Sequence, residues 1–361
     1  MADRRAERLQ ALAGALDGAH LDALLVSGLA NVRYLTGFSG SNALLLVTPA
    51  ESLLLTDARY AEQAVAEAGE VARVDVQAQS LWTGLWQRLP AYPVQVVGFE
   101  SMHLVHRDFQ RLLEAGGRWQ WRPTADLVES HRERKTPEEV EAIRRAGTMA
   151  TSALSRVLPQ IRAGLTELAI AGLLEQALRE EGSEGFPFPT IVASGPRSAL
   201  PHARSSERVV GEGDFLLMDF GAQAGGYCAD ITRTVVVGRA SAQQREVYDV
   251  VREAQALAMA GVRAGMRGRD ADALARDYIE RRGHGDRFQH SLGHGLGLEV
   301  HEAPRLARQA DAALAEGAVV TIEPGVYVPG WGGVRVEDDV HLGPAGPELL
   351  THFPRELLEI G

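Results

Sequence analysis

The sequence of 361 residues has a single cysteine, Cys228, so no disulfide can form within the chain and a reducing compartment is expected. A packed thiol in a strand, rather than a reactive one, is the reading its apolar neighbours favour. No apolar run approaches the roughly 20 residues that span a bilayer. The N-terminal stretch, with Leu9, Leu12 and Leu16 at helical spacing among charges, lacks the apolar core of a secretory leader. A cytoplasmic protein with no membrane partner is the expectation. Positive charge is also short: 37 Lys and Arg against 48 Asp and Glu leave a formal net charge of -11. Nucleic acids and anionic membranes need clustered Lys and Arg, so both are excluded as partners.

What is present is ordinary globular material, 45% hydrophobic and 24% charged, in a length that suits two domains with a core each. The first part alternates short apolar runs with helical patterns. Leu24 to Val26, Ala43 to Val47, Leu53 to Leu55 and Val94 to Val97 read as strands, and Ala58 to Ala68, Leu81 to Leu89 and Leu104 to Leu113 as helices. That is an α/β domain with a mixed sheet. Between two strands, Asn31 to Asn42 is rich in Gly, Ser and Asn and reads as a loop.

A boundary falls near residue 135. Thr136-Pro137-Glu138-Glu139 joins an N-cap Thr, a proline at the first helical position and a Glu at N3, a capping box that opens a helix through Val140, Ile143, Leu154 and Val157. A second helix, Glu167 to Glu180, precedes extended segments at Thr190 to Ala193, Asp214 to Gly221 and Tyr227 to Val237. The order then repeats. Ser241 to Gln244 caps a long helix, Asp270 to Arg282 forms a shorter one, and extended segments return at Val319 to Ile322 and Val334 to His341. An internally duplicated α+β domain with a site between its halves is the expectation.

Acidic residues interrupt these apolar strands. With a turn centred near Ala224-Gly225, Asp219 and Asp230 come out as cross-strand neighbours, whose Cβ atoms lie about 4.5–5.5 Å apart. Two carboxylates so close force a proton onto one of them unless a cation sits between. The stretch from His290 to Glu302 carries three histidines among glycines, and its spacing matches neither the phosphate loop nor the dinucleotide fingerprint. Glu323 ends an apolar strand before Pro324-Gly325, and Arg335 and Glu337 alternate onto one strand face. Four carboxylates with one imidazole suit Mn²⁺, Co²⁺ or Zn²⁺, and bridging acids would hold two such ions about 3.5–4 Å apart.

The strings LLMDFG, YCADIT, GHGLGLEVHE, TIEPGVY and GVRVED, in this order, resemble the pita-bread metallopeptidases, and NVRYLTGFSGSN and LLTDARY are similar to the creatinase-type first domain of their proline-directed branch. The resemblance spans nearly the whole chain. It implies an α/β creatinase-like domain over residues 1–132 and an α+β pita-bread catalytic domain over 133–361. It implies two divalent ions held by Asp219, Asp230, His294, Glu323 and Glu337, with Asp230 and Glu337 bridging. It implies substrate-side roles for His202 and His301, a hydrogen-bonding role for Arg335 around a bridging carboxylate, a place near the site for Tyr327, and a proline pocket shaped by His290. Glu323 would take a proton from the attacking water and pass it to the departing proline nitrogen.

The implied substrate is a small peptide with proline after the scissile bond. Prolidase, which splits Xaa-Pro dipeptides, is favoured over aminopeptidase P, which acts on longer peptides. Arg305, four after His301, resembles in position an arginine of some prolidases that binds the proline carboxylate. A homodimer is the common assembly of such proteins. A catalytically inactive binding module of the same fold is disfavoured because every ligand position is filled.

Overall fold

A computed structural model describes residues 4–114 and 117–361. The chain divides into two compact units, residues 1–132 and 133–361.

The first unit is built on a six-stranded mixed sheet. Its order is Arg73–Gln77, Ser52–Asp57, Ala43–Val47, Ala23–Val26, Val96–Glu100 and Gln120–Thr124. Ala43–Val47 runs antiparallel to both neighbours, and the other three pairings are parallel. Both edge strands escape sequence reading because they are polar and half exposed, and one carries Pro123 where an edge tolerates it. The Asn31 to Asn42 expectation needs correcting. Leu29–Thr36 is a helix, closed by Gly37 at φ 81°. Val32 and Leu35 are buried on it, and Asn31 turns inward because its amide donates to Glu100 and Glu129, each at 2.6 Å, and accepts from Arg132 at 2.7 Å. A polar residue read as loop is thus a satisfied buried group.

The second unit repeats one arrangement. The helices Pro137–Val157 and Glu167–Glu180 share a core with the sheet Glu359–Ile360, Ile231–Val237, Phe215–Phe220, Ile191–Ser194, in that order. The helices Ala242–Gly261 and Gly268–Arg281 share another core with the sheet Glu302–Leu306, Gly293–Gly295, Val319–Ile322, Asp338–Gly343, Gly346–Leu349. Both expected capping boxes form, at Thr136/Glu139 and Ser241/Gln244. Gly325–Val328 and Gly332–Arg335 pair as a separate hairpin.

Two strand readings change. The hairpin turn is centred on Gly225-Gly226, whose φ values of 59° and 81° no β-carbon tolerates easily, rather than on Ala224-Gly225. Moving the turn by one residue shifts the pairing by two. Phe220 therefore pairs with Ile231 and Asp219 with Thr232, so Asp230 stands diagonal to Asp219 instead of opposite it. A shift of two preserves the face, which is why the two acids still converge. The run Val334 to His341 is not one strand. It breaks at Val336-Glu337, between Gly332–Arg335 in the hairpin and Asp338–Gly343 in the five-stranded sheet.

Candidate metal centre

The four acids and one imidazole named from sequence sit on strand interiors or breaks of both halves of the second unit. Asp219 lies within Phe215–Phe220, Asp230 at the break before Ile231–Val237, and His294 in Gly293–Gly295. Glu323 follows Val319–Ile322, and Glu337 occupies the break before Asp338–Gly343. Asp219, Asp230 and Glu337 are 8%, 5% and 2% exposed. Asp230, His294 and Glu337 each offer a ligand atom within 4.8 Å of the others. His294 Nε2 lies 3.4 Å from Glu323 Oε1 and 3.9 Å from Asp230 Oδ2.

The chemistry of the donors fits hard or borderline dications. His294 Nδ1 faces the Gly295 carbonyl at 3.0 Å. A carbonyl only accepts, so Nδ1 holds the proton and Nε2 keeps its lone pair toward the acids. Burial also pushes the His294 pKa down, which keeps the ring neutral. Oδ1 of Asp219 and Oδ1 of Asp230 are buried with no hydrogen-bond partner among the described residues. Buried carboxylate oxygens without partners are costly unless a cation meets them. Burial, then the charge of Glu337 for Asp230 and of Glu323 for Glu337, drives both pKa values upward. Glu323 is pushed up to about 8 by burial, against the pull of Arg335 and with Asp219 adding to the rise. Four carboxylates thus lie around one guanidinium, a surplus of buried negative charge that bound dications would offset.

Arg335 hydrogen-bonds Asp219 and reaches Glu337, expected as a bridging carboxylate, only through the Thr232 hydroxyl. It is 3% exposed, binds Asp219 Oδ2, donates to the Thr232 hydroxyl at 3.0 Å and the Tyr327 hydroxyl at 2.8 Å, and has Glu337 at 4.0 Å. It also donates to the Pro201 carbonyl at 3.2 Å, beside exposed His202. His290 Nδ1 donates to the Ser291 carbonyl at 2.8 Å, which leaves Nε2 to accept from the Tyr327 hydroxyl at 2.9 Å. Burial drives its pKa down to about 3. With both nitrogens engaged, His290 offers its carbon edges to the space before it. The ring of exposed His301 packs on that of His294, centroids 4.3 Å apart. Arg305 pairs in register with His294 on the neighbouring strand, so both side chains leave one face of the sheet. Its exposed guanidinium has neither hydrogen bond nor ion pair among the described residues.

Several supporting residues went unnoticed in the sequence. Thr232 donates from its hydroxyl to Glu337 and from its chain carbonyl accepts the Glu337 N–H at 3.1 Å. Asp339 accepts from the Asp230 N–H at 3.0 Å. Arg276 pairs with Asp272 and donates to the carbonyls of Phe288 and His290, both at 2.8 Å, while Asp272 accepts from the Leu292 N–H at 3.0 Å. Lys135 meets Glu302 at 2.6 Å, with side chains 1% and 6% exposed. The histidine segment is therefore gripped by a buried ion pair on either side. The one local signal was Asp272 and Arg276 at i,i+4 beside the apolar stripe Ala271, Ala275, Ile279.

The family model described as metallopeptidase family M24 matches residues 141–344, and that of the creatinase/prolidase N-terminal domain matches residues 8–134. The chain belongs to metallopeptidase family M24. Within the M24 family it is similar to the Xaa-Pro dipeptidase of Pyrococcus furiosus, 35% identical over 354 residues, which are 98% of this chain and 99% of that one. The solved structure of an Xaa-Pro dipeptidase from Bacillus anthracis superposes with a TM-score of 0.95 at 40% identity, covering 99% of this chain and all of that one. An X-Pro aminopeptidase from Thermotoga maritima gives a TM-score of 0.91 at 39% identity over 98% and 99% of the two chains. The fold is thus a creatinase-type domain followed by a pita-bread catalytic domain, and the enzyme is an M24 metallopeptidase. M24 enzymes hold two divalent metal ions, which the buried, partner-poor carboxylates of this chain suit. The thiol of Cys228 is buried and pushed up to about 12 by that burial, a packed residue as its neighbours implied. No helix among the described residues is long and apolar enough to cross a membrane.

Proposed function

We propose that this M24 enzyme hydrolyses the peptide bond preceding proline, with Xaa-Pro dipeptides as its first substrates. The observation that carries the reading is the Arg305 guanidinium, unpaired among the described residues, one strand from His294 and on the same face as a buried carboxylate centre. Relatives named Xaa-Pro dipeptidase match along the whole chain and support it. Asp219, Asp230, His294, Glu323 and Glu337 would hold two ions of Mn²⁺, Co²⁺ or Zn²⁺. Once bound, these ions polarise the scissile carbonyl and make water nucleophilic at neutral pH.

The protein's own groups do the rest. Glu323, anchored by the Thr321 hydroxyl at 3.1 Å, receives the proton released by the attacking water and delivers it to the proline nitrogen. That nitrogen carries no hydrogen in the substrate, so it cannot leave as an amine until it gains one. His301 and His202 donate to the carbonyl oxygen as charge builds on it. The carbon edge of His290 walls the proline ring, and Arg305 pairs with the free carboxylate beyond it. Tyr327 orients His290 and takes its own bond from Arg335, which also fixes Asp219. A reducing cytoplasm suits the single buried thiol, and assembly as a homodimer is checked by sedimentation.

The test is Ala-Pro hydrolysis by metal-reconstituted protein. The reading expects cleavage that Glu323→Ala abolishes, and retained activity in that variant refutes the proton-relay role.

A further inference from the structure

Ile231–Val237 lies in one sheet, and Gly332–Arg335 and Asp338–Gly343 lie in two others. Strand pairing therefore does not set the offset of Glu337 from Asp219 and Asp230. Three consecutive residues of Ile231–Val237 set it instead. The Thr234 hydroxyl accepts from the Arg335 N–H at 3.2 Å and donates to the Arg335 carbonyl at 3.0 Å. The Thr232 hydroxyl binds the Glu337 carboxylate, and the Thr232 carbonyl accepts the Glu337 N–H at 3.1 Å. Between them, Arg233 donates from Nη1 to the Glu337 carbonyl at 2.6 Å and to the Thr232 carbonyl at 2.9 Å. Its Nη2 meets Asp338 Oδ1 at 2.8 Å and the Phe353 carbonyl at 2.9 Å, and its Nε the Pro354 carbonyl at 2.9 Å. Arg233 is 2% exposed, and each of its five N–H groups has an acceptor. Neutralising Asp338 needs only the Nη2 contact; the remaining bonds go to carbonyls of three separate segments. Asp338, 0% exposed, also accepts from the Thr351 hydroxyl at 2.9 Å and from Arg355 at 2.7 Å. Residues 351–355 thus strap the Arg233–Asp338 pair from behind.

We propose that Arg233 is a positioning residue of the metal centre. By holding the carbonyls of Thr232 and Glu337 on one nitrogen, it fixes Glu337 against Asp219, which pairs in register with Thr232, and against Asp230, two residues before Thr232. This role rests on reading Asp219, Asp230, His294, Glu323 and Glu337 as the ligands of two ions. Groups that orient metal ligands from behind are worth about 10–100-fold in metal affinity. Lysine at this position keeps a positive charge for Asp338, but its compact ammonium lacks the planar fork that spans the carbonyls. Arg233→Lys therefore frees Glu337 to shift against the acids of the other half while leaving every ligand in the chain.

The experiment titrates Mn²⁺ into metal-free wild-type and Arg233→Lys full chains by isothermal calorimetry, well below the Tm of each. The expected result is two ions bound by the wild type, and in the variant an affinity for at least one ion that is about 10–100-fold weaker. The Mn²⁺ concentration giving half-maximal Ala-Pro hydrolysis rises by the same factor. A lower global stability alone leaves the affinity of the folded chain unchanged, so a merely structural role does not move this readout. Wild-type affinity for both ions in Arg233→Lys overturns the positioning role. If that variant fails to fold, Asp338→Asn decides: it keeps the shape and an acceptor for Arg233 but loses the charge that holds it. A weakening of about tenfold supports the role, and an unchanged affinity overturns it. A wild-type chain that binds fewer than two ions overturns the ligand reading itself, and the role of Arg233 with it.

Discussion

Arg276→Met separates what the buried ion pair contributes to stability from what it contributes to the site. Arg276 and Asp272 are 5% and 1% exposed. Removing the guanidinium leaves the Asp272 carboxylate with the Leu292 N–H as its remaining hydrogen bond, and frees the carbonyls of Phe288 and His290. Breaking one side of a buried pair costs about 3–5 kcal/mol. At about 2–4 °C per kcal/mol for a unit of roughly 150–250 residues, the Tm of the second unit falls by about 6–20 °C. Replacing both partners, as Asp272→Leu with Arg276→Met, removes the stranded charge, and such exchanges are often neutral in stability. The double variant therefore recovers most of the Tm. It does not recover kcat/KM for Ala-Pro, because the segment leading to His290 and His294 still lacks its three anchors. Differential scanning fluorimetry and steady-state kinetics on the two variants read both quantities. Full recovery of kcat/KM in the double variant refutes the positioning role, and a loss below about 1 kcal/mol in Arg276→Met refutes the energetic one.

Three other outcomes follow from the same physics. A β-carbon on Gly295 would stand 2.0 Å from the Ala303 carbonyl oxygen, so Gly295→Ala displaces the strand bearing His294 and lowers metal content measured by elemental analysis; normal content contradicts this. In the first unit, burial opposes ionisation of Glu129, but hydrogen bonds from His103 and Asn31 prevail and hold its pKa at about 2. The resulting stability is fully present above the ordinary carboxylate value and is lost as pH falls toward 2, about 1–2 kcal/mol after allowance for partial exposure, so Glu129→Gln flattens the acid side of the stability profile. Trp82, Trp119 and Trp121 surround Trp86 in that unit, each ring centroid 5.8–6.4 Å from that of Trp86, so fluorescence reports its unfolding, whereas Trp331 packs on Phe215 in the other. If Trp331→Phe removes most of the fluorescence change on unfolding, that assignment is wrong.

How far the site could be read from sequence depended on whether its signal was local. Asp219, Asp230, Glu323 and Glu337 were legible because a charge stood where an apolar strand calls for Val or Leu. Asp219 and Asp230 survived a misplaced turn because a register shift of two keeps the face. His290, His301 and Tyr327 owed their roles to the family pattern, and only the geometry shows that both nitrogens of His290 are engaged. Lys135 and Glu302 lie 167 residues apart, and no periodicity within either segment announces such a pairing. The helix Leu29–Thr36 was hidden by the same kind of long-range contact, since Asn31 is paid for by Glu100, Glu129 and Arg132 far along the chain. Polar edge strands carry too little apolar alternation to be seen at all.

The central claim is that Asp219, Asp230, His294, Glu323 and Glu337 form a metal centre that cleaves before proline. Titration of Mn²⁺ into metal-free protein, with Ala-Pro hydrolysis followed at each step, tests it most directly. The account predicts no cleavage in the metal-free protein and activity that rises until two ions are bound per chain. Ala-Pro cleavage that persists after exhaustive chelation would contradict it.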